Sequence, residues 1–341
     1  MILNNEFLIQ VIIENNSKII NLIFGIIIIS CLFYIRYLNY LLKLFKPVDI
    51  SMNKNKSFNE NFLQMCYKSR SLAYGKLRHL NESNLITIQD KLKYLMIHES
   101  PDFKSKIVDK ILLRNYSAKK LGIDICVPII KIYNNPEEIK LEDLPDKFVI
   151  KSNHGYRMNI LCNNKSSFQL DKAKFYLRKW ININFGVISN QFQYINIEPK
   201  IFSEVYLKDN IEDYKIYCFH GVPKFIRVQK NIEGLDGKVN NYYDLNWKLT
   251  DIETGIPKFY RRPDIKFKKP NNFSLMIKYA KKLSEDFVFV RVDLYNIDGK
   301  IYLGEMTFSP SNLGFKLKNR QQSIKLGKLI HLDKINKNLI N

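Results

Sequence analysis

The sequence contains no Gly-x-x-x-x-Gly-Lys-[Ser/Thr], no Gly-x-Gly-x-x-Gly and no Gly-x-Ser-x-Gly, although it has 13 glycines. A P-loop, a dinucleotide fingerprint and a nucleophile elbow therefore lack their marks. Asp-x-Asp, with which many nucleotide-sugar transferases hold a metal, is missing as well. Cysteine is sparse: Cys31, Cys66, Cys126, Cys162 and Cys218 are odd in number, far apart and free of any Cys-x-x-Cys. They read as reduced core residues of a cytosolic domain rather than a disulfide framework. The five histidines never fall at metal-ligand spacing, which speaks against a zinc site. Nothing marks an activated Ser or Cys nucleophile.

Acidic residues are the minority. Lys and Arg number 54 against 33 Asp and Glu, a formal charge of +21. Part of this is compositional, because Asn, Ile and Lys are abundant throughout and the lysines are scattered. The remainder favours an anionic neighbour such as lipid headgroups, polyphosphate or acidic glycan. Nucleic acid is not expected, since no basic box interleaved with aromatics occurs. The chain has 341 residues, 46% of them hydrophobic, enough for a large core.

Long apolar runs are absent but for residues 19–35, "IINLIFGIIIISCLFYI", at the short end of the ~17–25 residues that a membrane helix needs. Few basic residues precede it and no small-residue cleavage site follows, so a cleaved signal peptide fits poorly. Glu6, Glu14 and Lys18 stand before the run, with Arg36, Lys43, Lys46, Lys54 and Lys56 after it. That bias predicts a single-pass membrane protein with its C-terminal bulk in the cytoplasm. A buried or interfacial helix is the competing reading. The expected organisation is an anchor over 1–45 with its helix near 19–37, a polar linker and helical lead-in over 46–85, a working domain over 86–331 and a tail over 332–341.

In the working domain, "TIQDKLKYLMIH" and "KIVDKILLRNYSAKKLG" have apolar positions at three- and four-residue steps and read as helices, the second ending at Gly122. Short apolar runs bounded by turns follow: "CVPIIKIY", "KFVIKSN", "NILCN", "KIFSEVYL", "YKIYCFH", "PKFIRVQK", "FVFVRVDLY" and "KIYLGEMTF", interrupted by helical stretches at 171–181 and 273–284. Strands mixed with helices and joined by hairpins predict an α+β or mixed α/β domain rather than a pure parallel sheet.

The last hairpin, "FVFVRVDLYNIDGKIYLGEMTFSP", carries Asp293 and Glu305 in its two arms. A three-residue loop with a glycine bulge would pair Asn296 with Lys300, Asp293 with Leu303 and Arg291 with Glu305. The two carboxylates would then share a face as diagonal neighbours about 7–8 Å apart. A two-residue loop would shift the pairing and send Glu305 to the other side. Like charges so placed need compensation. Arg291 could supply it in a plain ion pair, or the pair could hold Mg²⁺ for a nucleotide.

Four pieces in this order resemble an ATP-grasp enzyme: the lead-in helix "DKILLRNYSAKKLGIDICVPII", the strand and glycine loop "DKFVIKSNHG", the interlobe hinge "KIFSEVYL" and the terminal hairpin "VRVDLYNIDGKIYLGEMTFSP". "SPDFKSKIVDK", "YNNPEEIKLEDLPDKFVIKSNHG", "DYKIYCFHGVPKFI" and "YYDLNW" resemble one branch, the TupA-like type linked to cell-surface polysaccharides, over roughly residues 86–331. The resemblance implies an α+β ATP-grasp fold, two lobes with ATP between them. It makes Lys110 and Lys151 ligands of the nucleotide phosphates beside Gly155 and sets Glu204, Val205 and Tyr206 along the adenine hinge. Asp293, Glu305 and Thr307 become the Mg²⁺ ligands, Thr307 standing where many such enzymes have Asn. Arg291 and Lys215 are its catalytic candidates, with Asp213 beside Lys215 facing the cleft. His154 reads as a structural histidine and Trp247 as packing.

The implied activity is an ATP-dependent carboxylate–amine ligase working through an acyl phosphate, its partners a glycan or sugar precursor with a carboxylate and an amine donor. A sugar kinase, a glycosyltransferase and an inactive membrane-bound scaffold are the alternatives. The chain departs from the family where small residues usually follow His-Gly. His154-Gly155 is continued here by Tyr156 and Arg157, which would either clamp phosphate or obstruct the loop.

Overall fold

The computed structural model describes residues 85–334, apart from 190, 236, 255–258 and 312–316. The expected span near 19–37, nearly all of the 46–85 lead-in, Cys31 and Cys66 lie outside the described residues. Among the described residues no helix is long and apolar enough to cross a membrane.

Three short helices come first. Helix α1 (Ile88–His98) begins with a reciprocal capping box between Thr87 and Asp90. The single helix expected over 106–122 is two: α2 (Pro101–Val108) and α3 (Leu113–Leu121). The break is made by Asp109, which turns its carboxylate back on the chain and accepts from the Ile111 and Leu112 amides at 2.8 and 3.2 Å. A short acceptor that satisfies local N–H groups competes with helix continuation. Helix α3 does end at Gly122, whose φ of 75° is left-handed.

A four-stranded antiparallel sheet follows, in the order β1 (Ile129–Tyr133), β4 (Ile201–Val205), β2 (Phe148–Ser152), β3 (Asn159–Cys162). Helix α4 (Leu170–Ile181) lays Leu177 against it, in a core with Tyr133, Phe148, Ile150 and Ile201. A five-residue helix, α5 (Phe185–Ser189), leads back to β4.

The second sheet has six strands: β5 (Asp213–Phe219), β6 (Val222–Asn231), β7 (Lys238–Tyr243), β8 (Phe259–Tyr260), β9 (Phe289–Ile297) and β10 (Lys300–Thr307). Their order is β10-β9-β5-β6-β7-β8, antiparallel except for the short β7–β8 pair. Helix α6 (Phe273–Ser284) covers one face, burying Met276, Ala280 and Leu283 against Ile216, Val228, Val290 and Val292. Helix α7 (Arg320–Gly327) and α1 cover part of the other face, where Leu92 and Leu326 meet Tyr217, Phe225 and Phe289. Every strand read from an apolar run is present; β7, β8, α5 and α7 had not been expected. Cys126, Cys162 and Cys218 are buried free thiols.

Candidate active site

The part of the large sheet left uncovered by α1 and α7 is lined by polar side chains, and strand alternation puts them there. On β5, Tyr214, Ile216 and Cys218 go to the core under α6, so Asp213, Lys215 and Tyr217 project oppositely. Cross-strand pairing extends the row: Glu305 on β10 lies opposite Asp293 on β9, Asp293 opposite Lys215, Lys215 opposite Arg227 on β6, and Arg227 opposite Tyr242 on β7.

The hairpin achieves this by a route different from the one expected. Its loop has two residues, Asp298 and Gly299, both at positive φ (51° and 84°), with Ile297 paired to Lys300. That is the Asp-Gly type I′ signal. On its own it would have turned Glu305 away. A register shift between Leu303 and Glu305 inserts Gly304 as a bulge and restores the phase. Glu305 therefore stands directly opposite Asp293, and Thr307 opposite Arg291, instead of the expected Arg291–Glu305 and Asp293–Leu303 pairs. An ideal Cβ at Gly304 would come within 2.9 Å of the Tyr295 ring, so a side chain there is excluded by that ring.

The ion pairs are dense. Arg291 donates from Nε to Asp293 at 2.6 Å and from one terminal nitrogen to Asp293 at 2.6 Å, Glu305 at 3.0 Å and Thr307 Oγ1 at 3.0 Å. Thr307 donates in turn to Glu305 at 3.1 Å. Lys215 reaches Asp293 at 2.8 Å and also pairs with Asp213. Burial alone would raise the Asp293 carboxyl, but Arg291 and Lys215 hold it well below the usual carboxylate range. Burial opposes the Lys215 charge too, yet Asp213 and Asp293 leave its ammonium above its ordinary value. Arg291 thus bridges both carboxylates, and Asp293 is shared rather than spare.

On the small sheet Lys151 pairs with Glu204, one residue before the exposed Val205, whose N–H is engaged by the Pro128 carbonyl at 3.0 Å. Tyr206 follows, its hydroxyl bonded to Asp209. Lys110 lies not on a helix but in the Asp109 turn. There its ammonium donates to the Gly155 carbonyl at 2.6 Å. Burial lowers the Lys110 ammonium below its ordinary value and Lys151 adds to this, while Glu305, Asp109 and Glu204 oppose it. Lys110 thus feels charges from both sheets, Glu305 of the large one and Lys151 and Glu204 of the small one. Asn153 ties the turn to the loop, donating to Asp109 at 2.9 Å.

His154 is buried. Its Nε2 faces the Trp180 and Ile183 carbonyls, both at 3.1 Å, so it carries the proton, and Nδ1 then accepts from Ser152 Oγ at 2.6 Å. It is a structural residue. Tyr156 is exposed and Arg157, at a φ of 60°, lies over its ring with 5.3 Å to the centroid. Both side chains thus face solvent. Trp247 stacks on Tyr243 and donates Nε1 to the Phe267 carbonyl at 2.9 Å, which makes it packing.

The structure thus gathers Lys110, Lys151, Gly155, Glu204, Lys215, Arg291, Asp293, Glu305 and Thr307. It adds residues the sequence reading passed over: Arg227 and Gln229 on β6, Asn240 and Tyr242 on β7, and Tyr295. The signal was available in "KFIRVQK", where Ile226 and Val228 alternate with Arg227 and Gln229, and in "VNNYY". Among the described residues no group of three or more His, Cys, Asp or Glu side chains forms a metal cage. The pair Asp293 and Glu305 is nevertheless an all-oxygen donor set suited to Mg²⁺, which takes one or two carboxylates together with phosphate oxygens.

A family model described as TupA-like ATPgrasp matches residues 90–331. No curated protein matches the chain. Among solved structures, a D-alanine–D-alanine ligase from Bacillus anthracis is 16% identical with a TM-score of 0.40, covering 72% of this chain and 73% of its own. The D-alanine–D-alanine ligase from Helicobacter pylori is 16% identical with a TM-score of 0.36, covering 66% and 61%. N5-carboxyaminoimidazole synthetase from Staphylococcus aureus, complexed with ADP, is 17% identical with a TM-score of 0.34, covering 61% and 46%. The chain thus spans about three fifths of the Helicobacter protein's length and under half of the Staphylococcus protein's.

Proposed function

The chain belongs to the TupA-like ATP-grasp family, and from that premise we propose that it is an ATP- and Mg²⁺-dependent carboxylate–amine ligase of cell-surface glycan biosynthesis. One observation carries the reading. On the large sheet Arg291 and Lys215 pair with the inward carboxylates Asp293 and Glu305, and Lys110, in the Asp109 turn, donates to Gly155 within reach of the charge of both Glu305 and Lys151. Such a cleft needs no protein nucleophile. Positioning and charge neutralisation suffice for phosphoryl transfer.

Lys110 and Lys151 bind the nucleotide phosphates, and Glu204 with the hinge residues Val205 and Tyr206 flanks the base. Asp293 and Glu305 hold Mg²⁺, with Thr307 beside them, and the ion supplies charge neutralisation on the phosphates when bound. Arg291 orients and neutralises the transferring phosphoryl group, and Lys215 keeps Asp293 ionised. The substrate carboxylate attacks the γ-phosphorus and ADP leaves with the electrons of the broken P–O bond. An amine then adds to the acyl phosphate carbonyl, inorganic phosphate departs, and the amine's proton passes to solvent. A glycan precursor on the cytoplasmic side of a membrane agrees with the apolar run at 19–35 and the net positive charge.

The test is a thermal titration of the full-length chain with ATP, with and without Mg²⁺, beside Asp293→Asn and Glu305→Gln. At a hundred times its dissociation constant the nucleotide should stabilise the protein by about 2.7 kcal/mol. The gain should require Mg²⁺ and be lost in both variants. A well-folded wild type that gains nothing from Mg·ATP would make the cluster a structural ion network and sink the ligase reading.

A further inference from the structure

The ion network stops short of Arg227. This residue is 8% exposed, yet among the described residues no carboxylate lies within salt-bridge distance of its guanidinium, whose Nε has no hydrogen-bond partner. Of the carboxylates, Asp293 acts on it from two strands away, and Asp293 is already shared by Arg291 and Lys215. Tyr217 and Tyr242 flank the guanidinium and offer no formal negative charge. An uncompensated buried charge is costly to a fold, and buried cations are ordinarily paired.

Other buried polar atoms on the same face are also unsatisfied, among them Oδ1 of Asp213 and Oδ1 of Asn240. Asp213 and Asn240 both pair with Gln229, so they belong to the next row of the sheet, one step along the strands from Lys215, Arg227 and Tyr242. One unused cationic donor therefore sits beside two unused acceptors, about two strand spacings, or ~10 Å, from the carboxylate pair. A protein core gains nothing from this combination. A ligand with the opposite pattern would satisfy all three.

We propose that Arg227, with Asp213 and Asn240, forms a subsite for the amine-bearing acceptor, and that this acceptor carries an oxyanion, a carboxylate or phosphoryl group, that Arg227 binds. The amine or hydroxyl hydrogens of the same molecule meet Asp213 and Asn240. Its role as acceptor rests on the ligase reading; the anion site itself does not. The Arg fork suits either oxyanion bidentately.

The experiment titrates the full-length chain with inorganic phosphate and, separately, with acetate, following thermal unfolding with and without saturating ADP·Mg²⁺. Wild type, Arg227→Met and Arg227→Lys are compared. With ADP·Mg²⁺ filling the phosphate-binding end, one of the two anions should stabilise wild type saturably, and the stronger one tells phosphoryl from carboxylate. Arg227→Met should bind that anion at least tenfold more weakly, keep its ADP·Mg²⁺ shift, and melt at or above wild type in the absence of anion. Arg227→Lys should bind the anion with intermediate strength. If Arg227→Met does not fold, the wild-type titration and the lysine variant decide. Absence of any anion effect in wild type, or equal effects in wild type and the variants, overturns the subsite. A missing ADP·Mg²⁺ shift alongside an Arg227-dependent anion shift would instead remove the ligase reading and leave the anion site standing.

Discussion

The two faces of the six-stranded sheet are built from alternate residues of the same strands, and they solve opposite problems. Toward α6, β5 presents Tyr214, Ile216 and Cys218 to a continuous apolar layer in which each contact is replaceable by another of similar volume. Toward the cleft, the intervening Asp213 and Lys215 join Asp293, Arg291 and Glu305 in a network where each charge depends on a named partner. The comparison teaches that what separates core from site is the phase of the strand, not its composition. A single inserted residue can move a side chain from one to the other.

Replacing Gly304 by Val strains that separation most. A Cβ there would come within 2.9 Å of the Tyr295 ring, and relieving the clash by carrying the 297–300 register through the whole hairpin would send Glu305 into the apolar layer and Met306 into the cleft. An ionised carboxylate without a partner in that layer is not tolerated. The expected outcome is a destabilisation of about 5 kcal/mol or more, beyond the usual range for a point change. Deleting Gly304 instead closes the bulge and leaves Glu305 opposite Asp293, so it should cost less than the substitution. Urea unfolding followed by circular dichroism checks both; a valine variant with near wild-type stability would show that the bulge does not set the phase.

Asp293→Asn and Ile216→Ala then compare the two faces directly. The first leaves Arg291 and Lys215 buried with one shared anion fewer and should cost about 3–5 kcal/mol. The second removes buried methyl groups from the opposite face and should cost about 2–4 kcal/mol. Their pH responses should differ. The folded pKa of Asp293 is depressed, so its contribution is fully present above the unfolded carboxylate value near ~4 and is lost as pH falls through the folded value. Ile216→Ala should retain that acid-side loss and Asp293→Asn should lack it. Identical acid-unfolding profiles in the two variants would erase the distinction between the faces.

Much of this was legible because alternation and turn chemistry are local. The strands of the hairpin and the C-cap at Gly122 follow from neighbours in sequence, whereas Asp293 and Glu305 share a face through the Gly304 bulge and not through the three-residue loop expected. The register was not legible, since it depended on the choice between two glycines, Gly299 and Gly304, and only the Tyr295 ring packed on Gly304 marks the second as a bulge. The break between α2 and α3 was hidden by an apolar period running straight through it. Asp109 could be read as a cap only once Asn153, distant in sequence, was known to hold its other oxygen. Arg227 was passed over because β6 reads as one more apolar strand, and its lack of a partner is a property of the assembled sheet.

The smallest effect concerns the loop after β2, where His154 serves architecture rather than the cleft. Burial lowers the pKa of His154 below its ordinary value, and its Nε2 proton is committed to two carbonyls. As pH falls below about 6.5 the unfolded chain takes up a proton that the folded protein still refuses. Stability should therefore decline toward acid by up to about 1.4 kcal/mol per pH unit, until the lowered folded value is reached. His154→Gln can keep a donor near the carbonyls but cannot titrate. It should flatten stability between pH 6.5 and the start of carboxylate titration, at a cost near neutrality of about 1 kcal/mol. Denaturant melts from pH 7 to pH 5 measure this, and an unchanged slope in the variant would assign the titration to another group. With Mg·ATP added, the stabilisation of wild type and His154→Gln should be alike at pH 7. A histidine that shaped the loop alone would leave phosphate binding to Lys110 and Lys151.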